Sequence, residues 1–358
     1  MNHSYGILTL KTLPYLLPKR KLRKEINYNT INKNSKSASR TLQPETRIPI
    51  IIIQGPTAVG KSTLANKLAL ELHTEIISAD SRQVYKYLNI GTAKPSKEIQ
   101  KKIKHHLIDI VYPDEEYSAG DFVKDSEKLI YELHKKDKLP LIVGGTGFYI
   151  KALLEGIFDA PSIPREIREK LIHSAEEKDS NYLYEYLREK DPSSAERTNP
   201  NDLHRIIRAL EVYEATGKTI TQLWQENPSD KKYFKTFNIL ISEDREILYN
   251  RINHRVDDMI KNGLLNEMKE LLEKGYNEKS PGMNTVGYKE LLPYFEEKTN
   301  LEECSQEIKK NTRNYAKRQF TWYRKIDFDL TLQASNINFS IILRKIREFK
   351  SSENWEIK

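Results

Sequence analysis

The sequence predicts an α/β protein: a parallel sheet flanked by helices, with its ligand loops at one sheet edge and a helical insertion in its second half. Three observations carry this. Ile50-Ile51-Ile52-Ile53 is a run of β-branched residues, as in a strand buried on both faces. Gly55 to Ser62 follows at once as G-x-x-x-x-G-K-S, and Thr63-Leu64-Ala65-Asn66-Lys67-Leu68-Ala69 opens a helix behind it. Leu139-Pro140-Leu141-Ile142-Val143 is a second buried strand, ending in Gly144-Gly145-Thr146-Gly147. Strand, glycine loop and helix in that order are the context a phosphate-binding P-loop requires, so the expected class is a P-loop NTPase-like sheet with a helical insertion subdomain.

The loop reads Gly55-Pro56-Thr57-Ala58-Val59-Gly60-Lys61-Ser62. Its two glycines let the backbone wrap a phosphate, while unpaired N–H groups and the helix dipole favour negative charge. Lys61 adds a point charge, and the Ser62 hydroxyl is a ligand for Mg²⁺.

Before the loop, residues 1–46 are basic and Ser/Asn-rich, which fits either a transit peptide or a disordered extension. Behind it, Glu75–Tyr85 is a short strand ending in Asp80. In open α/β sheets ligands bind outside the carboxyl ends of the strands, so Asp80 either faces the P-loop's ligand or caps a turn. His105-His106 sits in another short strand; neighbouring strand residues point to opposite faces, which argues against a shared metal. Tyr117–Phe122 leads into an amphipathic helix, with Ser118 or Asp121 as its cap. The glycines around Thr146 suggest either close approach of backbone to a ligand or a tight strand–helix turn.

Residues 161–200 are charged and helical, bracketed by prolines, and form the expected insertion. The core is expected over 47–160 and 201–330, with 331–358 as a C-terminal tail. Arg205 and Arg208 share a face of the helix from Asp202 to Tyr213, where they hold phosphates or merely solvate it. Arg251 and Arg255 share a face of a later helix. From Lys309 to Lys325 seven cations occur with no acid and with aromatics interleaved; helical spacing aligns Lys310, Arg313, Lys317 and Arg324. This pattern fits contacts along a nucleic-acid backbone.

The net charge of +8 adds little to that argument. Nine of the 59 basic residues but only two of the 51 acidic ones fall in 1–46, so the remainder is nearly balanced. The single cysteine, Cys304, excludes an internal disulfide framework or zinc cluster. No apolar run approaches the roughly 18–20 residues that span a bilayer.

From about residue 50 to 330 the chain resembles the tRNA dimethylallyltransferase (isopentenyltransferase) family, bacterial type. The stretches that carry the likeness are Gly55–Ser62, Ser78-Ala79-Asp80-Ser81-Arg82-Gln83-Val84-Tyr85 and Asn89-Ile90-Gly91-Thr92-Ala93-Lys94-Pro95. They continue with Val143-Gly144-Gly145-Thr146, Asn201-Asp202 with Arg205 and Arg208, Val286-Gly287-Tyr288, and Ala316-Lys317-Arg318-Gln319-Phe320-Thr321-Trp322. The resemblance implies transfer of the dimethylallyl group of dimethylallyl diphosphate to the exocyclic amine of the adenosine 3′ of the anticodon. The P-loop would then cradle the diphosphate leaving group with Mg²⁺ at Ser62. By the same matching, Asp80 is the general base, Arg255 stabilises the leaving group and Thr146 contacts the substrates. The partner is the tRNA anticodon stem-loop, met by Asp80, Ser81, Arg82, Gln83, Thr146, Arg168, His204, Arg205, Arg208, Asn284, Val286, Gly287, Tyr288 and Lys289, with the insertion gripping the stem. Nothing in the sequence suggests more than a monomer. A cytoplasmic protein is expected, with organelle targeting left open by 1–46. The competing readings are a prenyltransferase acting on free adenine nucleotide, a nucleotide or metabolite kinase, and a non-catalytic RNA-binding switch of GTPase type.

Overall fold

The computed structural model describes residues 47–156, 163–178, 180–226 and 234–351; the expected transit or disordered segment 1–46 lies outside them. The chain runs through β1 (Ile48–Gln54), α1 (Lys61–Glu71), β2 (Ile76–Ser78), α2 (Lys97–Lys102), β3 (His105–His106), α3 (Ala119–His134), β4 (Leu141–Gly144) and α4 (Gly147–Glu155). Five helices follow: α5 (Arg165–Lys178), α6 (Ser180–Lys190), α7 (Pro192–Glu196), α8 (Leu203–Thr216) and α9 (Ile220–Glu226). The chain then returns through β5 (Phe234–Ser242), α10 (Arg245–Lys261), α11 (Leu264–Glu273), α12 (Leu292–Phe295), α13 (Leu301–Tyr323), β6 (Leu330–Gln333) and α14 (Phe339–Ser351).

The six strands form one parallel sheet in the order β3-β2-β4-β1-β5-β6. β1 is buried along its whole length, and its alternating side chains supply both layers. Ile51 and Ile53 join Leu64 and Leu68 of α1 and Leu248 and Ile252 of α10 on one face. Ile50 and Ile52 meet Phe122 and Ile130 of α3 and Ile150 and Leu153 of α4 on the other. Register places Gln54 opposite Gly144, and Ser78 opposite Val143. The loops after β1, β2 and β4 therefore leave the sheet side by side.

The residues proposed as alternative caps for α3 act together. Ser118 accepts from the Asp121 amide while Asp121 reaches back to the Ser118 amide, a capping box. The two strand histidines diverge: His105 bonds Asn66 and the Ile103 carbonyl, and His106 bonds Glu75.

Two expected boundaries move. The helical subdomain does not stop at residue 200, because α8 belongs to it: Ile206, Ile207 and Leu210 bury against Leu171, Leu183 and Leu187 of α5 and α6. The periodicity of α8 was evident in the sequence, but its packing partner was not. Nor is 331–358 a tail as far as it is described. β6 pairs with β5, and α14 buries Ile342 and Ile346 in the main core with Phe349 packed on Phe237.

Candidate functional site

The P-loop leaves β1 between the two halves of the sheet, where the chain goes first toward β2 and β3 and later toward β5 and β6. Such a reversal of strand order opens a crevice at the carboxyl edge. α1 begins directly behind Gly60, with no side-chain cap and no acid in its first turn. Its first N–H groups are thus left for an anion. Lys61 folds back over the loop and donates to the Pro56 carbonyl at 2.7 Å. Burial pushes its ammonium down to about pKa 8; Asp80 opposes that shift and Arg255 adds to it.

Asp80, two residues beyond β2, caps a turn and also lines the cavity beside the P-loop. Its Oδ1 accepts from the amides of Arg82 (2.9 Å) and Gln83 (3.4 Å), which fixes the carboxylate in a turn. The same carboxylate lines a cavity with Lys61, Ser62, Asn66, Ser78 and Gln83. Arg255 arrives from α10; burial pulls its guanidinium below the ordinary arginine range while Asp80 holds it up. Arg251, one turn earlier on the same face, is engaged elsewhere, with Glu243 at 3.0 Å. Thr146 Oγ1 accepts from the Ser81 amide at 3.0 Å and stands beside Tyr315, whose phenol burial pushes up to about pKa 12. Lys61, Asp80, Arg255 and Thr146 therefore converge, drawn from the start of α1, the loops after β2 and β4, and α10.

Protein packs closely against the glycines that flank Thr146. A Cβ on Gly145 would stand 2.5 Å from Gln319 Nε2, and one on Gly147 would stand 2.1 Å from Trp322 Nε1. Both neighbours come from α13, which presses on the turn. The long-range partners on α13 were not anticipated. Gln319 accepts from the Thr57 amide (2.9 Å) and donates to the Gly145 carbonyl (2.8 Å), and the Tyr323 hydroxyl donates to the Gly55 carbonyl (3.1 Å). Their only signal in the sequence is that Gln319 and Trp322 stand in a stretch carrying the family likeness.

The remaining candidates divide. Arg168 and Arg208 are brought together by Glu211, which is buried on α8 and accepts from them at 3.0 Å and 2.6 Å. Arg205 pairs with Asp202, and His204 is exposed beside it. These contacts are made within the helical subdomain. Tyr288 does not present its side chain outward: it is fully buried, donating to Glu267 at 2.6 Å and accepting from the Gly91 amide at 3.1 Å. It therefore holds the Gly91–Pro95 loop. Gly287 is buried, Val286 is half-buried, and Asn284 and Lys289 are exposed.

The basic stretch of α13 is less free than its sequence suggests. Lys309 meets Asp257 of α10 at 2.5 Å, Lys310 meets Glu307, and Arg313 donates to Asn253 at 2.6 Å. The acids lie on a neighbouring helix or upstream of the run, so scanning the run alone missed them. Lys317, Arg318 and Arg324 stay exposed.

For Mg²⁺, the donors fit a shared site. Among the described residues no three His, Cys, Asp or Glu side chains form a metal-binding group. Mg²⁺ ordinarily takes one or two protein oxygens and completes its shell with phosphate and water. Ser62, at the helix start and lining this cavity, supplies one such oxygen.

The comparisons identify the family. The sequence model of the family described as IPP transferase matches residues 83–326. A tRNA dimethylallyltransferase of Thermoanaerobacter sp. (strain X514) is 49% identical over 284 residues, covering 78% of this chain and 90% of that protein. One from Thermotoga neapolitana is 45% identical over 276 residues, 77% of this chain and 89% of that protein. Among solved structures, the tRNA isopentenylpyrophosphate transferase of Staphylococcus epidermidis is 37% identical, with a TM-score of 0.61, covering 86% of this chain and all of that one. A eukaryotic dimethylallyltransferase, solved acting on tRNA, is 34% identical with a TM-score of 0.73, covering 87% of this chain and 81% of that one. With a parallel sheet, a P-loop and a likeness that spans most of its length, the chain belongs to the tRNA dimethylallyltransferase family.

Proposed function

We propose that this chain transfers the dimethylallyl group of dimethylallyl diphosphate to the exocyclic amine of the adenosine next to the anticodon on its 3′ side in tRNA. The observation that carries the reading is the meeting of two cations, Lys61 and Arg255, with the carboxylate of Asp80 beside an uncapped P-loop helix. A kinase would also use such a carboxylate, to take the proton of its hydroxyl acceptor; it is the family likeness that makes the transferred group dimethylallyl and not phosphoryl.

Each residue then has one task. The amides of Gly60, Lys61 and Ser62 and the Lys61 ammonium hold the diphosphate, and Arg255 balances the charge that builds as the allylic C–O bond breaks. The electron pair of that bond leaves with the diphosphate. The adenine amine forms the new N–C bond and passes its proton to Asp80, whose Oδ1 is steadied by the Arg82 and Gln83 amides. Mg²⁺ at Ser62 would add charge compensation on the diphosphate. Thr146, anchored by Ser81, borders the acceptor. The target base must leave its stack to reach a group at the sheet edge. The proposed contacts to RNA phosphates are Arg168 with Arg208, Arg205, His204, Lys289 and Lys317. Among the described residues no helix is long and apolar enough to cross a membrane; the proposed setting is the cytoplasm, as a monomer.

The test supplies labelled dimethylallyl diphosphate and Mg²⁺ with either unmodified tRNA bearing adenosine beside the anticodon or free AMP, ADP or ATP. Label moving to tRNA alone is expected. Label on free nucleotide, or ATP hydrolysis without prenyl transfer, overturns the reading.

A further inference from the structure

We infer that Gln319 is a positioning residue: its amide joins the loop that holds the donor to the loop that borders the acceptor and sets the distance between them. This rests on the prenyl-transfer reading above. The two loops belong to different crossovers of the sheet, and a reaction between two bound molecules depends on their mutual placement more than on the binding of either. A misplacement of about 1 Å can lower a rate about 100-fold.

The geometry is specific to an amide. Gln319 Oε1 accepts from Thr57 N at 2.9 Å, and Nε2 donates to Gly145 O at 2.8 Å. One end must accept and the other must donate. Glutamine can do both, an ionised glutamate cannot donate, and an apolar side chain can do neither. Gln319 is itself buried, at 6% exposure, so neither bond is readily replaced by one to bulk water. The space is reserved as well. A Cβ at Gly145 would stand 2.5 Å from the amide, with Gly55 O at 3.5 Å and Lys61 Nζ at 3.6 Å. The amide thus lies in the gap between the P-loop and the glycine turn, beside the lysine that holds phosphate. One turn on, Tyr323 donates to Gly55 O, so α13 grips the P-loop at two points.

Thr57 lies at the strand end of the loop, away from Gly60, Lys61 and Ser62 at the helix start. Its N–H is committed to Gln319 and not to a ligand. Removing the amide therefore frees a donor without subtracting one from the helix-start amides. A merely structural role would weaken folding and ligand binding together. A positioning role separates them.

The experiment compares the full chain with Gln319→Met and Gln319→Glu. It measures melting temperature, Kd for inorganic diphosphate with Mg²⁺, and kcat and KM for donor in the transfer assay. For Gln319→Met the expectation is a fall in kcat of tenfold or more, with the diphosphate Kd and the donor KM within about threefold of the parent. Gln319→Glu keeps the acceptor for Thr57 but loses donation to Gly145, so its kcat falls as well; this variant serves if Gln319→Met does not fold. A parent-like kcat in a folded variant overturns the inference. So does a kcat loss matched by an equal loss of diphosphate affinity. If the parent chain itself transfers no prenyl group to RNA, the functional reading fails instead, and a parent that is active beside indifferent variants isolates the failure to Gln319.

Discussion

Lys61 offers a sharp test of the diphosphate cradle, because its charge is at stake within an accessible pH range. Burial places its pKa at about 8 in the ligand-free protein, against an ordinary value of 10.5. A bound diphosphate favours the charged form and draws that value back up. Below pH 8 the ammonium is already present, so this group gives affinity no pH dependence. Above it, binding must take up a proton, and affinity falls by up to about tenfold per pH unit, or about 1.4 kcal/mol. From pH 8, where half the ammonium is already lost, to pH 9.5 the further loss is about 1.7 kcal/mol, roughly sixteenfold. Stability of the empty protein runs the other way. Between pH 8 and 10.5 the unfolded chain binds this proton more fully than the folded one, so the contribution of Lys61 to stability rises with pH. Calorimetry of inorganic diphosphate with Mg²⁺, from pH 6.5 to 9.5 in buffers of different ionisation heat, reads both affinity and proton uptake. Lys61→Arg is the control, since its guanidinium stays charged and any remaining slope belongs to the ligand. A parent affinity that stays level with the control up to pH 9.5 would refute the placement of a lowered lysine against the diphosphate.

Replacing Asp80 with alanine should cut kcat by at least about 100-fold, as expected for loss of a general base, while diphosphate still binds in calorimetry; full turnover would sink the assignment. Lys317→Ala should lower tRNA affinity and reduce the slope of log affinity against log salt by about one phosphate contact, measured by filter binding from low to physiological salt. Tyr288→Phe takes the shorter of two acceptors from the Gly91 amide and one donor from Glu267, and should cost about 1–3 kcal/mol in urea unfolding, since its role lies inside the fold. Ile346→Ala, in the helix that the sequence presented as a tail, should cost about 2–5 kcal/mol in the same assay; a loss within error would mean that α14 is not part of the core.

Much of the site was legible because its signals are local. The P-loop is eight contiguous residues, and Asp80 and Thr146 each follow directly from a recognisable strand. The turn-cap reading of Asp80 holds, and a carboxylate steadied by two amides is still able to face a ligand. What escaped was non-local. Gln319 and Thr57 are separated by 262 residues, and nothing in the composition of a basic helix marks one glutamine as the bridge. Glu211 looked like an ordinary helical acid, yet it joins arginines from two helices. The glycines at 145 and 147 announced a close approach correctly, but periodicity cannot say whether a ligand or a helix approaches. The subdomain boundary failed for a related reason: α8 has an apolar stripe that suits either the sheet or its helical neighbours, and only packing decides between them.

The grip of α13 on the P-loop has a consequence for how the enzyme is made. Tyr323 and Gly55 are 268 residues apart. At about 5–20 residues per second, a ribosome needs roughly 13–54 s to deliver the second partner after the first. For the first two-thirds of that interval the isoleucine-rich β1 lacks its neighbour β5, and β6 and α14 follow only after Tyr323; an apolar strand with an open edge invites wrong pairing. The nascent chain should therefore depend on chaperones until its last helices emerge. A product cut short before α13 would carry the whole P-loop motif but lack the two bonds that hold it in register.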